Sequence, residues 1–341
     1  MNTLLPLCSS LVSFAFAAMV FDQWRQRRQG FQLAWAAGLA FYGVSAGTEL
    51  LGSAFGWNEV LYRAWYLVGA FYVAAFLGLG TIYLLSKTAF GYFAGVTVLL
   101  GGFLSLAFTR IYPGSGQVGR IAFAVAVLGG LAIILATAVR RPWAPHLALA
   151  VLLVGSLAAA ILVLGAPLAA PGWRLDPHTS VPVGSAFPGY VRVLTGPFNV
   201  AGALCLVFGA AFSAYVYMPK RKLLAVGRVR TPVLAQGWYF VAVVVNLVAS
   251  LPGAAAALVA GRLNSRVPAT LLIALGGFIP ALTSGLDRFG ITWAFFLGEL
   301  LGVLLILAGF LVSEEVFANL RLPLRGVVWR RDRPGKPGLA G

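Results

Sequence analysis

Two charged side chains stand inside apolar stretches of the sequence, which makes them the first candidates for chemistry. Glu49 and Arg63 lie in two hydrophobic runs that a very short polar turn separates. A charge inside a membrane-embedded segment is costly, so such residues usually pair with one another or line a functional cavity. The spacing predicts a hairpin of two helices that brings Glu49 and Arg63 to a similar depth and joins them in a salt bridge.

The residues around this pair form a polar stripe. On a helix, Tyr42, Ser45 and Glu49 follow one another at spacings of three and four residues, so they share one face. Tyr66 follows Arg63 by three residues and adds a second hydroxyl group in the same region. A polar stripe of this kind must face protein or water rather than lipid. These side chains could therefore bind a small ligand or exchange a proton.

Three further polar residues come from later stretches of the chain. Glu299 lies in a Gly-Glu-Leu-Leu-Gly pattern near the start of the last apolar run, and such a pattern allows helices to approach closely. Arg192 and Asn199 stand at the start of another apolar run. All three are expected at the depth of Glu49, in the outer half of a membrane. The sequence thus predicts that Glu49 and Glu299 end up together.

Two interpretations of this convergence remain open at the level of the sequence. In one, the four charged residues pair and fix the register of the helices, although buried ion pairs add little net stability. In the other, they line an outward-opening polar pocket that binds a small ligand or moves a proton. Unchanged function in Glu49→Gln and Glu299→Gln variants, with altered expression only, would favour the first interpretation.

Basic residues form clusters between the apolar runs. Five of them are expected to contact anionic lipid headgroups on the inner face of the membrane: Lys220, Arg221, Lys222, Arg228 and Arg230. A formal charge of +16 could also indicate a nucleic-acid-binding protein, but these cations do not form a face on a soluble fold. They are better explained as topology signals, and no nucleic-acid partner is expected.

The sequence lacks the residue patterns of several membrane enzymes and cofactor-binding proteins. His146 and His178 fall at opposite ends of the predicted helices, so they cannot provide two haem ligands at one depth. Every lysine lies at a helix end or in the tail, which excludes a retinal Schiff base. Neither HExxH nor GxxxxGK[ST] occurs, and no histidine is placed to activate a serine. We therefore expect a non-enzymatic protein without a cofactor or a metal site, in which Cys8 and Cys205 are packing residues.

The composition places all these residues in a membrane protein. Hydrophobic residues make up 60% of the 341-residue chain and charged residues only 10%, with a mean hydropathy of +0.90. Such a chain is too apolar to fold around one core in water. A spanning helix needs about 20 apolar residues. The segments that meet this requirement are 4–21, 31–55, 61–85, 89–108, 121–139, 146–168, 193–218, 238–260 and 291–312.

A further segment, 270–286, has two glycines and a proline at its centre and is predicted to be re-entrant or to lie at the surface. The positive charges support this arrangement, because cytoplasmic loops are enriched in lysine and arginine. With nine crossings and the N-terminus outside, 17 of the 25 cations lie inside. With ten crossings, 12 cations lie inside and 13 lie outside. The sequence thus predicts an all-α, polytopic transmembrane helical bundle of about nine spans, with its N-terminus out and its C-terminus in.

The chain is divided into a single transmembrane domain, residues 1–312, and a basic cytoplasmic tail, residues 313–341. Within the domain, the outer loop 169–190 is rich in proline and glycine and is expected to cap the polar pocket, whereas the inner loop 219–236 is basic. The tail is predicted to continue the last helix as far as Pro323, and its end, residues 330–341, is predicted to be disordered.

These features lead to two functional hypotheses. The first is a multi-pass protein of the cell membrane, a bacterial inner or plasma membrane, that binds a small ligand or a separate partner protein through its outer half. It would act as a sensor or an assembly subunit. Its plan resembles the membrane sensor regions of bacterial signalling proteins at the level of architecture, without a shared motif. The second is a proton-coupled small-molecule transporter in which Glu49 or Glu299 exchanges protons.

Overall fold

The computed structural model describes residues 2–170, 172–177, 180–183, 186–225, 232–260, 262–287, 294–312, 319–322 and 326–330. About 82% of the structure is helical, which confirms the all-α prediction. The helices are α1 (Leu4–Arg27), α2 (Gly30–Phe55), α3 (Glu59–Leu67), α4 (Val73–Leu84), α5 (Phe90–Phe108), α6 (Gly116–Arg140), α7 (Ala144–Gly165), α8 (Gly189–Arg192), α9 (Thr195–Tyr217), α10 (Pro232–Val259), α11 (Arg266–Asp287) and α12 (Phe295–Val312). A π-helical turn, Val68–Tyr72, joins α3 to α4, and a 3₁₀ turn, Arg141–Trp143, joins α6 to α7.

Eight helical stretches of the described chain are long and apolar enough to cross a membrane. One of them, Gly116–Gly165, contains both α6 and α7, because only the 3₁₀ turn interrupts the α-helix between them. Helix α2 is not one of these eight stretches, although its 26 residues are long enough to span. These helices are compatible with a multi-pass membrane protein.

Segment 270–286 is not re-entrant in shape, so that part of the prediction is wrong. It belongs to α11, a continuous helix of 22 residues that packs along α12 and α9. The glycines that suggested a break serve close packing instead. A Cβ atom on Gly276 would lie 2.6 Å from the carbonyl oxygen of Gly302 on α12, and one on Gly277 would lie 2.8 Å from the Leu206 side chain on α9.

The prediction that the last helix continues to Pro323 is also wrong, because residues 319–322 form a strand. Two strands of the tail, β3 (Asn319–Leu322) and β4 (Gly326–Arg330), pair antiparallel. Strand β4 contains Val327, Val328 and Trp329, and β-branched and aromatic residues favour extended structure. Residues 331–341, which belong to the end predicted to be disordered, lie outside the described residues.

The helices pack as antiparallel neighbours that define two ends of the bundle. At the first, here called the basic end, Gly30 lies against the ring of Tyr83, whose hydroxyl is 3.1 Å from His146 Nδ1. At the other, called the loop end, Trp57 Nε1 donates to the Ser180 carbonyl at 2.8 Å. That bond attaches the turn between α2 and α3 to the loop after α7. The same loop contains a short antiparallel pair of strands, β1 (Arg174–Leu175) and β2 (Pro182–Val183).

The largest apolar core unites α1, α2, α4, α9, α11 and α12. Within it, α2 packs against both α1 and α4, which fixes the direction in which its polar stripe points. The helices α4 and α9 cross in direct backbone contact. A Cβ atom on Gly202 would stand 2.3 Å from the Ala74 carbonyl oxygen, and one on Gly78 would stand 2.5 Å from the Gly202 carbonyl oxygen. The core therefore holds α2 between rigid neighbours.

Candidate functional site

The centre of the site is a pair of carboxyl groups, Glu49 on α2 and Glu299 on α12. Glu49 is completely buried, with 0% of its surface exposed, and the Glu299 carboxyl group is its neighbour. Glu49 Oε1 accepts a hydrogen bond from Trp65 Nε1 on α3 at 2.9 Å. Oε2 of each carboxyl group is buried and receives no hydrogen bond from a donor group among the described residues, and the two carboxyl groups lie within hydrogen-bonding distance of each other.

Tyr42 ties together the two helices that carry this pair. Its hydroxyl donates to the backbone carbonyl of Glu299 at 2.8 Å, so α2 and α12 are joined directly beside the carboxyl groups. Ser45 is also buried and lies against Gly69 in the π-helical turn. The stripe on α2 therefore faces α12 and the span that begins with α3. This is expected, because a polar stripe on an apolar helix must face protein rather than lipid.

Arg63 is not part of this pair, so the predicted salt bridge with the buried glutamate is wrong. Its Nε donates to Glu59 Oε1 at 2.8 Å, one turn earlier on α3. Its two terminal nitrogens donate to the carbonyls of Val163 and Ala166 at the end of α7. The reason is helical geometry: Trp65 faces α2, and residues two positions apart point to different sides of a helix.

Trp65 is the residue of the site that the sequence analysis missed. A tryptophan near the end of a hydrophobic run usually anchors a helix at the membrane interface, and its position alone does not distinguish it. The available signal was chemical. An indole N–H is a neutral donor that can be buried beside a carboxyl group, whereas a guanidinium group needs several acceptors, which the end of α7 provides for Arg63.

Tyr66 belongs to an aromatic cluster at the loop end, beside the carboxyl pair rather than within it. Its ring centroid lies 4.5 Å from that of Phe187. Tyr62 stacks on both Trp173 and Phe187, with centroid distances of 5.0 Å. The described part of loop 169–190 thus covers this cluster. Trp65 lies within 6.2 Å of both tyrosine rings and links the cluster to the carboxyl pair.

Arg192 and Asn199 do not lie beside the carboxyl pair. The Arg192 guanidinium group lies 4.2 Å from the centroid of the Tyr112 ring, and Asn199 is on an exposed face of α9. Helix α9 packs mainly against α4, α5 and α11 rather than against α2. The convergence predicted from the sequence is therefore limited to Tyr42, Glu49 and Glu299.

The site thus consists of two buried carboxyl groups, a tyrosine and a tryptophan, with no ion pair to either carboxyl group among the described residues. No family model, curated protein or solved structure matches this chain. Two facing carboxyl groups in a low-dielectric environment cannot both stay ionised unless a cation joins them.

Helix α1 adds buried hydroxyl groups next to the site. Ser10 Oγ donates at 2.8 Å to the carbonyl of Gly43, which lies about two helical turns from Glu49 on α2. Ser9 and Ser13 are buried one turn apart, and their hydroxyl groups have no hydrogen-bond partner among the described residues. Buried polar groups of this kind commonly bind internal water. These buried hydroxyl groups lie on α1, the helix that packs against α2.

An apolar layer of three rings separates these serines from the basic end. The Phe310 ring lies between those of Phe16 and Trp35, at centroid distances of 4.9 and 5.0 Å. On the far side of this layer, Gln32 Nε2 donates to Gln23 Oε1 at 3.5 Å. Buried polar groups therefore lie on both sides of a closed apolar layer.

The basic residues predicted to bind lipid are exposed wherever the structure describes them. Lys220, Arg221 and Lys222 follow α9 at the basic end and face outward. Arg228 and Arg230 lie outside the described residues. Contact of this cluster with anionic lipid stays a prediction.

A separate apolar cleft of about 330 Å³ lies between α4, α5, α6, α7 and α9. Its lining contains no charged residue. The lining includes Cys205, which is buried and whose Sγ lies 3.3 Å from Thr97 Oγ1. This cleft is distinct from the carboxyl pair, and its walls resemble the lipid-facing surfaces of the bundle.

Proposed function

We propose that this chain is a non-enzymatic, multi-pass protein of the cell membrane that binds a small cationic ligand between Glu49 and Glu299. The observation that carries the proposal is the pair of buried Oε2 atoms, which receive no hydrogen bond from a donor group in the part of the chain that the structure describes. Both atoms are hydrogen-bond acceptors, so a ligand with N–H donors and a positive charge would satisfy both at once.

Electrostatics supports the same class of ligand. Two unit charges 4 Å apart interact by about 4 kcal/mol at an effective dielectric constant of 20, and here the sign is repulsive. Trp65 relieves little of this repulsion because its indole is neutral. A bound proton, or a cation such as a protonated amine, would convert the repulsion into attraction. The Glu299 residue is partly exposed although its Oε2 atom is buried, whereas Glu49 is fully buried, so a ligand would reach the pair from the Glu299 side.

The role that follows most directly is that of a sensor or an assembly subunit. The pair joins α2 to α12, and Trp65 adds the start of the third span, so occupancy of the site would pull three helices together. Any signal would pass to a separate partner protein at the basic end. The exposed basic cluster would hold that end against anionic lipid of the inner leaflet.

The test is a thermal-shift measurement on the full-length protein in lipid nanodiscs, with methylammonium chloride as the probe and sodium chloride at equal ionic strength as the reference. The Tm of the wild type is expected to rise, by about 2 to 4 °C for each kcal/mol of binding free energy. The rise should disappear in Glu49→Gln and in Glu299→Gln.

Glu59→Gln is the matched control, because Glu59 is an exposed carboxylate on α3 that pairs with Arg63. This variant should keep the wild-type response to methylammonium. An equal rise in all three variants would mean that the cation acts at the surface. No rise in the wild type would contradict the proposal.

A second candidate function, proton-coupled transport of a small molecule, is favoured by one specific feature. The buried serines of α1 and the Gln23–Gln32 pair place polar groups on both sides of the ring layer at Phe310. Movement of this layer would connect the two sides, which is how many transporters alternate access. Methylammonium-dependent proton flux in proteoliposomes, lost in Glu49→Gln, would favour transport. Binding without flux would favour the sensor.

A further inference from the structure

Helix α10 occupies an unusual place in the bundle. Its packing residues, from Tyr239 to Ala254, cluster with the last turn of α9 and the first turns of α11. These α10 residues extend over about 22 Å at 1.5 Å per residue. Their partners at the end of α9 run only from Phe212 to Met218, the residue that follows the helix, which is about 9 Å. A helix that ran alongside α9 would meet it over an equal length, so α10 runs across its end.

The chain leaves and re-enters the bundle at the same end. The guanidinium group of Arg266, at the start of α11, lies 4.3 Å from the ring centroid of Tyr217, the last residue of α9. α9 and α11 are long neighbours that pack along each other. Two antiparallel helices that meet in this way begin and end at one face of the membrane. The segment between them, including α10, therefore has both of its attachments at the basic end.

The polarity of α10 is the reverse of that expected for a helix in water. Asn246 and Ser250 point inward and are 2% and 1% exposed, whereas Val248 and Leu258 point outward and are 60% and 56% exposed. An apolar outer face with a polar inner face is typical of helices that contact lipid.

The inward polar residues of α10 form hydrogen bonds with the backbone that follows α9. Asn246 Oδ1 accepts from the backbone N–H groups of Leu223 and Leu224, and its Nδ2 donates to the Leu224 carbonyl. Ser250 Oγ accepts from the N–H of Arg221. Asn246 thus satisfies the irregular backbone after α9. Irregular backbone at membrane depth is tolerated only when protein groups bond to it in this way.

We propose that α10 does not cross the membrane but lies in its plane at the basic end, with its outer apolar face in the acyl-chain boundary of an anionic leaflet. The 238–260 segment is then an interfacial helix rather than a span. Lys220, Lys222 and Arg262 flank the helix and are exposed, which matches anionic headgroups around it. This inference does not depend on the carboxyl pair.

The distribution of charge agrees with this placement. If α10 lies in the plane and α11 crosses, the chain still has nine crossings and opposite termini, but Arg262 and Arg266 move to the inner side. The inner count rises from 17 to 19 of the 25 cations. The positive-inside rule therefore favours this arrangement over the one in which segment 238–260 crosses and 270–286 does not.

The test is cysteine accessibility in the full-length protein, with Cys8 and Cys205 replaced by serine. Arg262→Cys is expected to react with a membrane-impermeant maleimide in inverted vesicles but not in intact cells, like the basic-end control Lys87→Cys. The loop-end control Gln117→Cys should show the opposite pattern. Labelling of Arg262→Cys in intact cells would overturn the proposal. Ala260→Cys is expected to show the same labelling pattern as Arg262→Cys. It can replace that variant if Arg262→Cys is poorly expressed.

Depth measurements separate an in-plane helix from one that projects into water. Spin labels at Val241, Val248 and Leu258 are expected to report shallow, lipid-exposed depths that agree to within about one helical turn. In a crossing helix, the first and last labels would differ in depth by about 25 Å. Such a gradient, or three water-exposed labels, would contradict the proposal.

Discussion

Replacement of Gly202 by leucine is expected to prevent assembly of the helix bundle. Gly202 lies where α9 crosses α4, and a Cβ atom there would stand 2.3 Å from the Ala74 carbonyl oxygen. Because this oxygen belongs to the backbone, a side chain can be accommodated only if the two helices separate. We expect a loss of at least about 3 kcal/mol in the free energy of unfolding. Little monodisperse protein should be recovered after detergent extraction, and its Tm should be sharply lower.

Gly165→Leu is the matched control, because a Cβ atom at Gly165 meets no atom of the described residues within 4 Å. Its Tm should stay near the wild-type value. Gly202→Ala should fall between the two leucine variants, since the smaller side chain requires a smaller movement. A wild-type Tm for Gly202→Leu would mean that α4 and α9 do not cross in backbone contact.

The second large effect is expected for Arg63→Leu. The Arg63 side chain is only 13% exposed, and it donates to the carbonyls of Val163 and Ala166. The last carbonyl groups of a helix have no partner within the helix, so they depend on donors such as this one. Loss of two hydrogen bonds to a charged group should lower the free energy of unfolding by roughly 3 kcal/mol. A Tm measurement on the purified protein checks this expectation.

Two variants show which contact of Arg63 matters. Glu59→Gln removes only the partner that is 60% exposed, and an exposed ion pair contributes at most about 1 kcal/mol. Arg63→Lys keeps the charge but loses the planar guanidinium group that bonds both carbonyls and Glu59 at once. Its Tm should therefore lie between those of the wild type and Arg63→Leu. If Glu59→Gln were as harmful as Arg63→Leu, the ion pair rather than the end of α7 would be the main contribution.

Hydropathy predicted the helices well because a membrane helix is specified mainly by its length and apolar content. The run expected at 31–55 forms the helix Gly30–Phe55, and the run expected at 89–108 forms Phe90–Phe108. Glycines were ambiguous. Gly276 and Gly277 were interpreted as a break, but in a bundle the same residues allow neighbours to approach. Only the position of α12 and α9 decides between these roles.

The depth of the carboxyl groups was predictable, but their partners were not. Glu49 and Glu299 each lie about two turns from the loop end of a predicted apolar run, so both were expected at one level. Whether α3 presents Arg63 or Trp65 to them depends on the angle at which α3 leaves the turn after α2. Sequence spacing gives the distance along a helix and leaves this rotation undetermined.

The π-helical turn Val68–Tyr72 has a consequence for the whole third span. An extra residue wound into one turn rotates everything after it by about 100° relative to an uninterrupted α-helix. Trp65, before the turn, is directed at α2, while Gly78, after it, is directed at α9. The directions in which α3 and α4 point their side chains are therefore set separately, although both helices belong to one span. Deleting one residue from this turn would turn the span into one uninterrupted α-helix. Trp65 and Gly78 could then no longer both face their partners, and one of them would point toward lipid.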